Sequence, residues 1–207
     1  MREFFRRHHF LMRRLHSLFG IIPVGGFLAF HLYENAVGAW RGADHYNAIV
    51  EAINSIPALP VIEILFIFIP LYFHALYGIY IAAQARHNVA EYSYGRNWAF
   101  FFQRLTGIIT LFFVTYHIWH FRLKKLLGIM PSFDMVAQAF SVPWIAAMYI
   151  IGVTAAAYHL CNGIFTFLIT WGITIGPKSQ RVSSIVTNAA FVGLSALGIA
   201  AVFAFRA

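Results

Sequence analysis

The sequence predicts an all-α integral membrane protein in which five transmembrane helices form a bundle. Of its 207 residues, 60% are hydrophobic and only 11% are charged, whereas a soluble domain is about 45–50% apolar and about 25% charged. Five apolar stretches are long enough to cross a bilayer, which takes about 20 helical residues. This composition excludes a disordered chain, which needs low hydrophobicity, and it argues against a soluble enzyme domain.

The five predicted spans are residues 15–33, 59–85, 98–121, 142–171 and 183–205. Four tryptophans fall near their ends, where amphipathic rings prefer the membrane interface: Trp98, Trp119, Trp144 and Trp171. Pro23 and Pro70 fall inside spans, which membrane helices tolerate. We expect the first stretch to be a true span and not a cleaved signal peptide, because its apolar run continues past Pro23 and no small-residue cleavage site follows. We expect residues 1–207 to form a single transmembrane domain.

The positive charge of the chain is concentrated at the ends of the spans. A net charge of +8 would suit a nucleic-acid-binding protein, but basic residues at span ends set membrane topology instead. Ten of them fall on the side of the N-terminus: Arg2, Arg6, Arg7, Arg13, Arg14, Arg86, Arg96, Arg104, Lys178 and Arg181. Five fall on the opposite side: Arg41, Arg122, Lys124, Lys125 and Arg206. The positive-inside rule therefore predicts a cytoplasmic N-terminus. We expect a multi-pass protein of the cell (plasma) membrane.

His31, His74, His117 and His159 lie in predicted spans one, two, three and four, and His16 and His120 fall at the ends of spans one and three. An ionisable side chain in hydrocarbon is costly and marks a candidate functional site. A single such histidine could instead be a neutral side chain that is hydrogen-bonded to a neighbouring helix. Four of them in four consecutive spans make that alternative much weaker.

These histidines fall at two depths. His31 follows Arg14 by 17 residues, which is about 25 Å of helix, and His117 also lies near the outer end of its span. His74 and His159 lie past the middle of inward-running spans. We name His31 with His117 the outer pair, and His74 with His159 the inner pair.

Two histidines from facing helices at one depth are suitable axial ligands for a haem. Such an iron has no open position for oxygen and is suited to passing single electrons. A zinc or di-metal site would need more ligands at one depth, usually with carboxylates. Cys161 is the single cysteine, which excludes an internal disulfide and a cysteine-ligated cluster within the chain.

Each inner histidine begins the same short motif, H-x-x-x-G-I-aromatic, in residues 74–80 and 159–165. Gly78 and Gly163 therefore lie one turn after the histidine on the same helix face. A missing side chain would let a flat cofactor approach, so we predict that both glycines contact the cofactor. Close packing of two helices through small residues is the alternative. A weaker echo relates RLHSLFGII in residues 14–22 to RLTGII in residues 104–109.

Together these motifs resemble the di-haem cytochrome b membrane anchor of succinate:quinone oxidoreductase, the single-anchor, five-helix type of Gram-positive bacteria. The resemblance covers nearly the whole chain. It rests on RRLHSLFGIIPVG (13–25), HALYGIYIA (74–82), YSYGRNWAF (92–100), QRLTGIITLFFVTYHIW (103–119), HLCNGIF (159–165) and TWGITIGPKSQR (170–181). His120 and the long basic run MREFFRRHHF depart from what the family leads us to expect.

The resemblance implies two b haems, the outer one of lower potential on His31 and His117 and the inner one of higher potential on His74 and His159. It implies a flavoprotein subunit that oxidises succinate and an iron–sulfur subunit on the cytoplasmic face. Electrons would pass from these partners through both haems to a membrane quinone, for which we expect menaquinone. The chain would then be the quinone-reducing anchor of succinate dehydrogenase, with no dicarboxylate site of its own.

Polar residues flank both predicted haems. At the inner end, Arg14 and Arg104 could pair with haem propionates, although setting the topology is an equally good explanation. A quinone needs an apolar slot with one or two polar groups near a haem. The candidates are His16 and Ser17, with Arg104, at the inner end, and Tyr33, Glu34, Tyr116 and His120 at the outer end. We favour the outer site, because a relay of two haems otherwise has no destination.

Two alternative functions stay open from the sequence. One is the anchor of a related complex, above all a quinol:fumarate reductase, because the direction of reaction depends on the quinone and the partners. Anchors of hydrogenase or formate dehydrogenase fit the motifs less well. The other is a small transporter or channel with the histidines as a proton relay, which predicts no chromophore. We expect membrane lipid and no nucleic acid among the partners.

Overall fold

A computed structural model describes residues 7–207, and within them the chain is helical and has no strand. Five segments, numbered here as spans one to five, are long and apolar enough to cross a membrane: His9–Arg41, Leu59–Ala83, Gly95–Leu127, Pro143–Thr170 and Pro177–Ala204. They confirm the predicted all-helical, five-span architecture. Their outward faces keep large apolar side chains exposed, such as Phe112 at 72%, which suits a surface covered by lipid. Arg2 and Arg6 of the topology count lie outside the described residues.

Span one is interrupted at Pro23, which has no N–H group to continue the helical hydrogen bonds. Helix α1 (His9–Ile21) precedes the proline and helix α2 (Pro23–Arg41) begins with it. The span is longer than the predicted 15–33 at both ends, because hydropathy marks the lipid-buried part of a helix whereas its hydrogen bonds continue into polar residues. After α2 the chain turns at Gly42, whose φ of 90° favours glycine.

Two short helices lie between the spans, where hydropathy shows no span. Helix α3 (Ala43–Asn54) follows span one, and helix α7 (Phe133–Ser141) precedes span four. Helix α7 begins after Ser132, whose Oγ accepts a hydrogen bond from the N–H of Met135, as an N-cap should. Both helices are too short to cross a membrane, and they cover the end of the bundle opposite the N-terminus, called the outer end below.

Span two contains a widened helical turn. It runs as helix α4 (Leu59–Glu63), a π-helical turn (Ile64–Phe68) and helix α5 (Ile69–Ala83). Pro70 follows that turn and cannot donate a backbone hydrogen bond, so the wider turn accommodates the missing bond without ending the span.

Span three contains a second widened turn at its outer end. Helix α6 (Gly95–His117) passes into a π-helical turn (Ile118–Arg122) and then a 3₁₀ turn (Leu123–Leu127). The predicted end at residue 121 therefore falls inside a continuous helical segment. The segment stops at Gly128, whose φ is 80°.

Span four, helix α8 (Pro143–Thr170), is the centre of the bundle. In its most apolar stretch 56% of the residues are buried, against 6% to 28% in the other spans. The small residues Ala155, Ala156 and Ala157 are all buried and let neighbouring helices approach closely. Span five, helix α9 (Pro177–Ala204), packs along span four and along α2.

A buried aromatic cluster closes the outer end of the bundle. Its rings come from α3, α7, spans three and four, and the residue that follows span five: Tyr46, Phe121, Phe140, Tyr149 and Phe205. The ring centres of Phe140 and Tyr149 lie 4.7 Å apart, and those of Tyr46 and Phe205 lie 5.0 Å apart. Contacts of this kind attach the two short helices to the spans.

An ion pair joins spans two and three at the outer end. Arg122 donates from Nε to Oε1 of Glu63 at 3.1 Å and from Nη2 to Oε2, so the pair is bidentate. Lys125 donates from Nζ to Oδ1 of Asn54 and links the same segment to α3. Two of the basic residues that make the outer side positive are thus bonded within the fold.

We expect Arg122→Gln to lower the free energy of unfolding by about 1–3 kcal/mol, a value between those for exposed and fully buried pairs. The side chains of Arg122 and Glu63 are 27% and 16% exposed, and the single variant leaves a carboxylate without its partner. The double variant Glu63→Gln/Arg122→Gln should recover part of the loss. Unfolding of the purified protein in detergent measures both, and equal losses in the two variants would contradict the pairing.

Candidate functional site

The structure brings each predicted pair of histidines together inside the bundle. The ring centres of His31 and His117 lie 5.6 Å apart, with the ring planes inclined at 73°. Those of His74 and His159 lie 6.0 Å apart, with the planes inclined at 80°. The outer pair therefore joins spans one and three, and the inner pair joins spans two and four.

Both inner histidines direct Nδ1 at a main-chain carbonyl of a neighbouring helix. Nδ1 of His74 lies 2.8 Å from O of His16, and Nδ1 of His159 lies 2.9 Å from O of Gln103. A carbonyl oxygen can only accept, so Nδ1 carries the proton and donates it. Nε2 of each ring then keeps its lone pair, which is the state in which histidine binds a metal.

Gly20 and Gly107 make these two hydrogen bonds possible. Each lies four residues after the accepting carbonyl, on the same helix face. A Cβ on Gly20 would collide with the ring of His74, and one on Gly107 would lie only 2.8 Å from Cε1 of His159. Any larger residue at either position would push the imidazole away from its acceptor.

Gly78 and Gly163, the two glycines predicted to contact the cofactor, meet side chains of these same neighbouring helices. A Cβ on Gly78 would lie 3.2 Å from Nε2 of His16, and one on Gly163 would lie 3.5 Å from Nε2 of Gln103. This is the helix-packing role that the sequence leaves open, and contact with a cofactor stays a prediction. The two helix pairs are built alike. Gly78 packs on His16, whose carbonyl accepts from His74, and Gly163 packs on Gln103, whose carbonyl accepts from His159.

Gln103 has a role that its place in the sequence does not reveal. Its Nε2 donates to O of His159 at 3.0 Å, and its Oε1 accepts from Nδ2 of Asn162 at 2.7 Å. Gln103 therefore ties span three to span four at His159 and at Asn162, three residues later. The available signal is the repeated Gly-Ile-Ile, which aligns Gln103 with His16, since each precedes that triplet by four residues.

The outer histidines contact side chains instead of carbonyls. Nδ1 of His117 lies 3.2 Å from the hydroxyl oxygen of Tyr149. Nδ1 of His31 lies 3.3 Å from Nδ2 of Asn35, and this amide donates to O of His31 at 2.8 Å. Phe27 stacks on the ring of His31, with 5.2 Å between centres. The outer level is thus held by residues of α2 and α8.

The ring spacing of both pairs fits two axial ligands of one metal ion. An imidazole nitrogen binds a first-row transition metal at about 2.0–2.1 Å, so two opposite ligands place their ring centres roughly 6 Å apart. The observed 5.6 Å and 6.0 Å agree with that spacing. Residues 7–207 contain no group of three or more His, Cys, Asp or Glu that could hold a metal alone. The donor sets therefore suit a cofactor that supplies its other metal ligands itself.

The two pairs lie at separate levels along the bundle. In span one, Gly20 faces the ring of His74, and His31 follows it by 11 residues, about 16 Å of helix. In span three, Gly107 faces the ring of His159, and His117 follows it by 10 residues, about 15 Å. The two spans agree on the separation.

At the inner end, the predicted polar residues pack on one another. The ring of His16 stacks on that of His74 at 4.2 Å. Ser17 donates from Oγ to O of Arg14 at 2.9 Å and accepts from Nε1 of Trp171 at 3.1 Å. The guanidinium of Arg14 lies 4.9 Å from the centre of the Trp171 ring. Trp171 therefore borders the place where the sequence predicts an inner quinone slot.

Arg104 keeps one buried donor without an acceptor. Its Nη1 donates to O of Phe100 at 2.6 Å, whereas its Nε is buried and has no hydrogen-bond partner in the described part of the chain. Burying an N–H of a charged group without an acceptor is costly. A carboxylate of a bound group would satisfy it.

The four outer candidates for a quinone site fall into two groups. Tyr33 and Glu34 line an apolar cleft of about 220 Å³ between α2 and α3, together with Phe30, Val37, Ile49, Ala52 and Ile53. Glu34 follows His31 by three residues, so the cleft opens one turn from the outer pair. Tyr116 and His120 stack on each other in span three, with 5.3 Å between ring centres.

Comparison with known proteins identifies the family. The model described as "Succinate dehydrogenase/Fumarate reductase transmembrane subunit" matches residues 88–198. The chain is also 48% identical over 196 residues to the succinate dehydrogenase cytochrome b558 subunit of Bacillus subtilis (strain 168), which covers 95% of this chain and 96% of that protein. The chain belongs to the succinate dehydrogenase/fumarate reductase transmembrane-subunit family.

Membership confirms the resemblance that the sequence motifs indicate. It makes the chain a multi-pass membrane protein and the anchor subunit of an oxidoreductase complex. Membership also implies that the chain associates with the catalytic subunits of such a complex.

We expect Gly107→Ala to lower the free energy of unfolding by about 1–3 kcal/mol, the usual cost of overpacking, because the added Cβ meets the ring of His159. Gly193→Ala is the matched control, since nothing lies within 4 Å of a Cβ there. Its effect should be near zero or slightly stabilising. Unfolding in detergent measures both variants, and equal losses would contradict the close helix contact.

Proposed function

We propose that this chain is a cytochrome b with two haem b groups, which carries electrons from the catalytic subunits of a succinate dehydrogenase to a membrane quinone. The observation that carries the proposal is the pairing of one histidine from each of four spans at two levels, with 5.6 Å and 6.0 Å between ring centres. The relative that is 48% identical is named a cytochrome b558 subunit, which supports it.

In this proposal His31 and His117 hold the outer haem, and His74 and His159 hold the inner haem. A haem iron with two histidine ligands exchanges single electrons and has no open position for oxygen. The carbonyls of His16 and Gln103 keep the inner imidazoles in the tautomer that leaves Nε2 able to bind. The buried Nε of Arg104 supports its proposed role as the partner of a propionate, and Arg14 is the second candidate.

We propose that the N-terminus lies in the cytoplasm. The distribution of ten basic residues against five supports this orientation. Two of the five, Arg122 and Lys125, are bonded within the fold to Glu63 and Asn54. The inner pair then faces the cytoplasm, where a flavoprotein subunit and an iron–sulfur subunit would dock. A separation of about 15 Å between the pairs covers half of a hydrocarbon core about 30 Å thick.

We place quinone reduction at the outer end, with menaquinone as the expected substrate. The support is the apolar cleft one turn from His31, which Tyr33 and Glu34 line through apolar atoms, because a small-molecule site is usually a mostly apolar concave slot. Tyr116 and His120 are the second outer group. Protons taken up outside while electrons arrive from inside would make the reaction depend on the membrane potential, at about 2.3 kcal/mol per charge for 100 mV.

The family description covers both directions of the reaction. The name of the 48% identical relative favours succinate oxidation. A fumarate reductase remains the alternative function, and the rates of succinate and fumarate turnover in the isolated complex distinguish the two.

We expect the unmodified chain in membranes to contain two b haems, measured by reduced-minus-oxidised spectra with pyridine haemochrome quantitation. His31→Ala or His117→Ala should remove one haem, and His74→Ala or His159→Ala the other. His87→Ala, which changes an exposed histidine between spans two and three, should leave both in place. A well-folded protein without haem would contradict the cytochrome function and favour the transporter alternative.

We expect Glu34→Gln to reduce quinone reduction by the complex about 10-fold or more, as the loss of a proton-transferring group does, while both haems stay bound. Glu51→Gln is the matched control, because Glu51 is an exposed carboxylate on α3. Steady-state quinone reduction with succinate measures both. Full activity of Glu34→Gln would count against the outer cleft and favour the inner candidates His16 and Ser17.

A further inference from the structure

The hydroxyl group of Tyr149 distinguishes the outer histidine pair from the inner one. Each inner histidine donates to a main-chain carbonyl. In the outer pair, Nδ1 of His117 instead faces the side-chain oxygen of Tyr149 at 3.2 Å. This contact crosses from span three to span four.

The position of this hydroxyl is set by packing around the Tyr149 ring. Tyr149 is only 4% exposed. Its ring lies edge-on to Phe113 at 5.1 Å and to Phe140 at 4.7 Å between centres. Phe113 in turn fills the space beside Gly152, where a Cβ would collide with its ring. The aromatic cluster therefore holds Tyr149 in place without help from His117.

A phenylalanine would fill the same space, so packing does not explain the oxygen. A buried hydroxyl is unfavourable unless it is hydrogen-bonded. The contact with Nδ1 of His117 is at the long end of the range for an N–H···O bond. The structure therefore gives the hydroxyl a partner that belongs to the candidate site.

We propose that Tyr149 is a positioning residue for the outer haem. Its hydroxyl oxygen accepts a hydrogen bond from Nδ1 of His117 and thereby lowers the reduction potential of that haem. The inference rests on the proposed function. With Nε2 of His117 on the iron, Nδ1 carries the proton and donates it to the hydroxyl oxygen. Such a bond makes the imidazole a more basic ligand, and second-shell hydrogen bonding of this kind tunes the potential. A more basic ligand favours the oxidised iron.

The test is a redox titration of the two haems in membranes that contain the whole complex with Tyr149→Phe. The outer haem is the one that His31→Ala removes. We expect both haems to be retained, the outer haem to titrate at a more positive potential, and the inner haem to be unchanged. Tyr46→Phe is the matched control: the same cluster buries Tyr46, and within residues 7–207 it makes no hydrogen bond to His117. It should move neither potential.

A second variant keeps the test independent of folding. A fluorinated tyrosine at position 149 keeps the shape of the ring and weakens the oxygen as an acceptor, so the positive shift should be smaller than in Tyr149→Phe. An unchanged outer potential in both variants, with two haems present, would overturn the role of Tyr149 and leave the proposed function standing. Absence of haem from the unmodified chain would overturn the proposed function itself.

Discussion

Inside a helix, each carbonyl oxygen accepts one hydrogen bond from the N–H four residues later and keeps a second lone pair. The side chain of that later residue normally covers the approach to it. At His16 and Gln103 the later residues are Gly20 and Gly107, and an imidazole N–H from the next helix reaches the oxygen. In a bilayer this N–H has no water as an alternative partner. The packing of span one on span two, and of span three on span four, must therefore preserve these two contacts, which also fix the level of the inner rings.

The number of spans and the positions of the four histidines can be predicted from the sequence, because an ionisable residue within an apolar run stands out and residue counts give its depth. The acceptors of Nδ1 cannot be predicted in this way. Every residue has a carbonyl, so nothing in the identity of Gln103 marks its main-chain oxygen. Gly78 and Gly163 are visible as a motif, but the surface that each one faces depends on how the helices cross. The hydropathy pattern does not predict helices α3 and α7, because tertiary contacts such as those of Tyr46 and Phe140 stabilise them.

Some of the basic residues at the outer end are bonded to other side chains of the fold, which a count along the sequence does not show. The positive-inside rule weighs lysine and arginine by position alone. Here Arg122 is neutralised by Glu63, and Lys125 donates to Asn54. These bonds also hold the widened turn that follows His117 against span two and α3. The Arg122–Glu63 pair thus lowers the charge of the outer face, and both bonds support the helix end that carries an outer histidine.

The separation of the two levels is built into three single helical spans. Gly20 and His31 are 11 residues apart in span one, and Gly107 and His117 are 10 apart in span three. In span four, Tyr149 contacts the outer level and His159 belongs to the inner one, again 10 residues apart. Each interval is about 15 Å or slightly more; it lies on one uninterrupted helix in spans three and four, and it crosses the break at Pro23 in span one. A site carried on regular helices keeps its geometry better than one carried on loops. The proposed relay would therefore keep a fixed distance between its two haems even if the cleft beside Glu34 and the short outer helices moved.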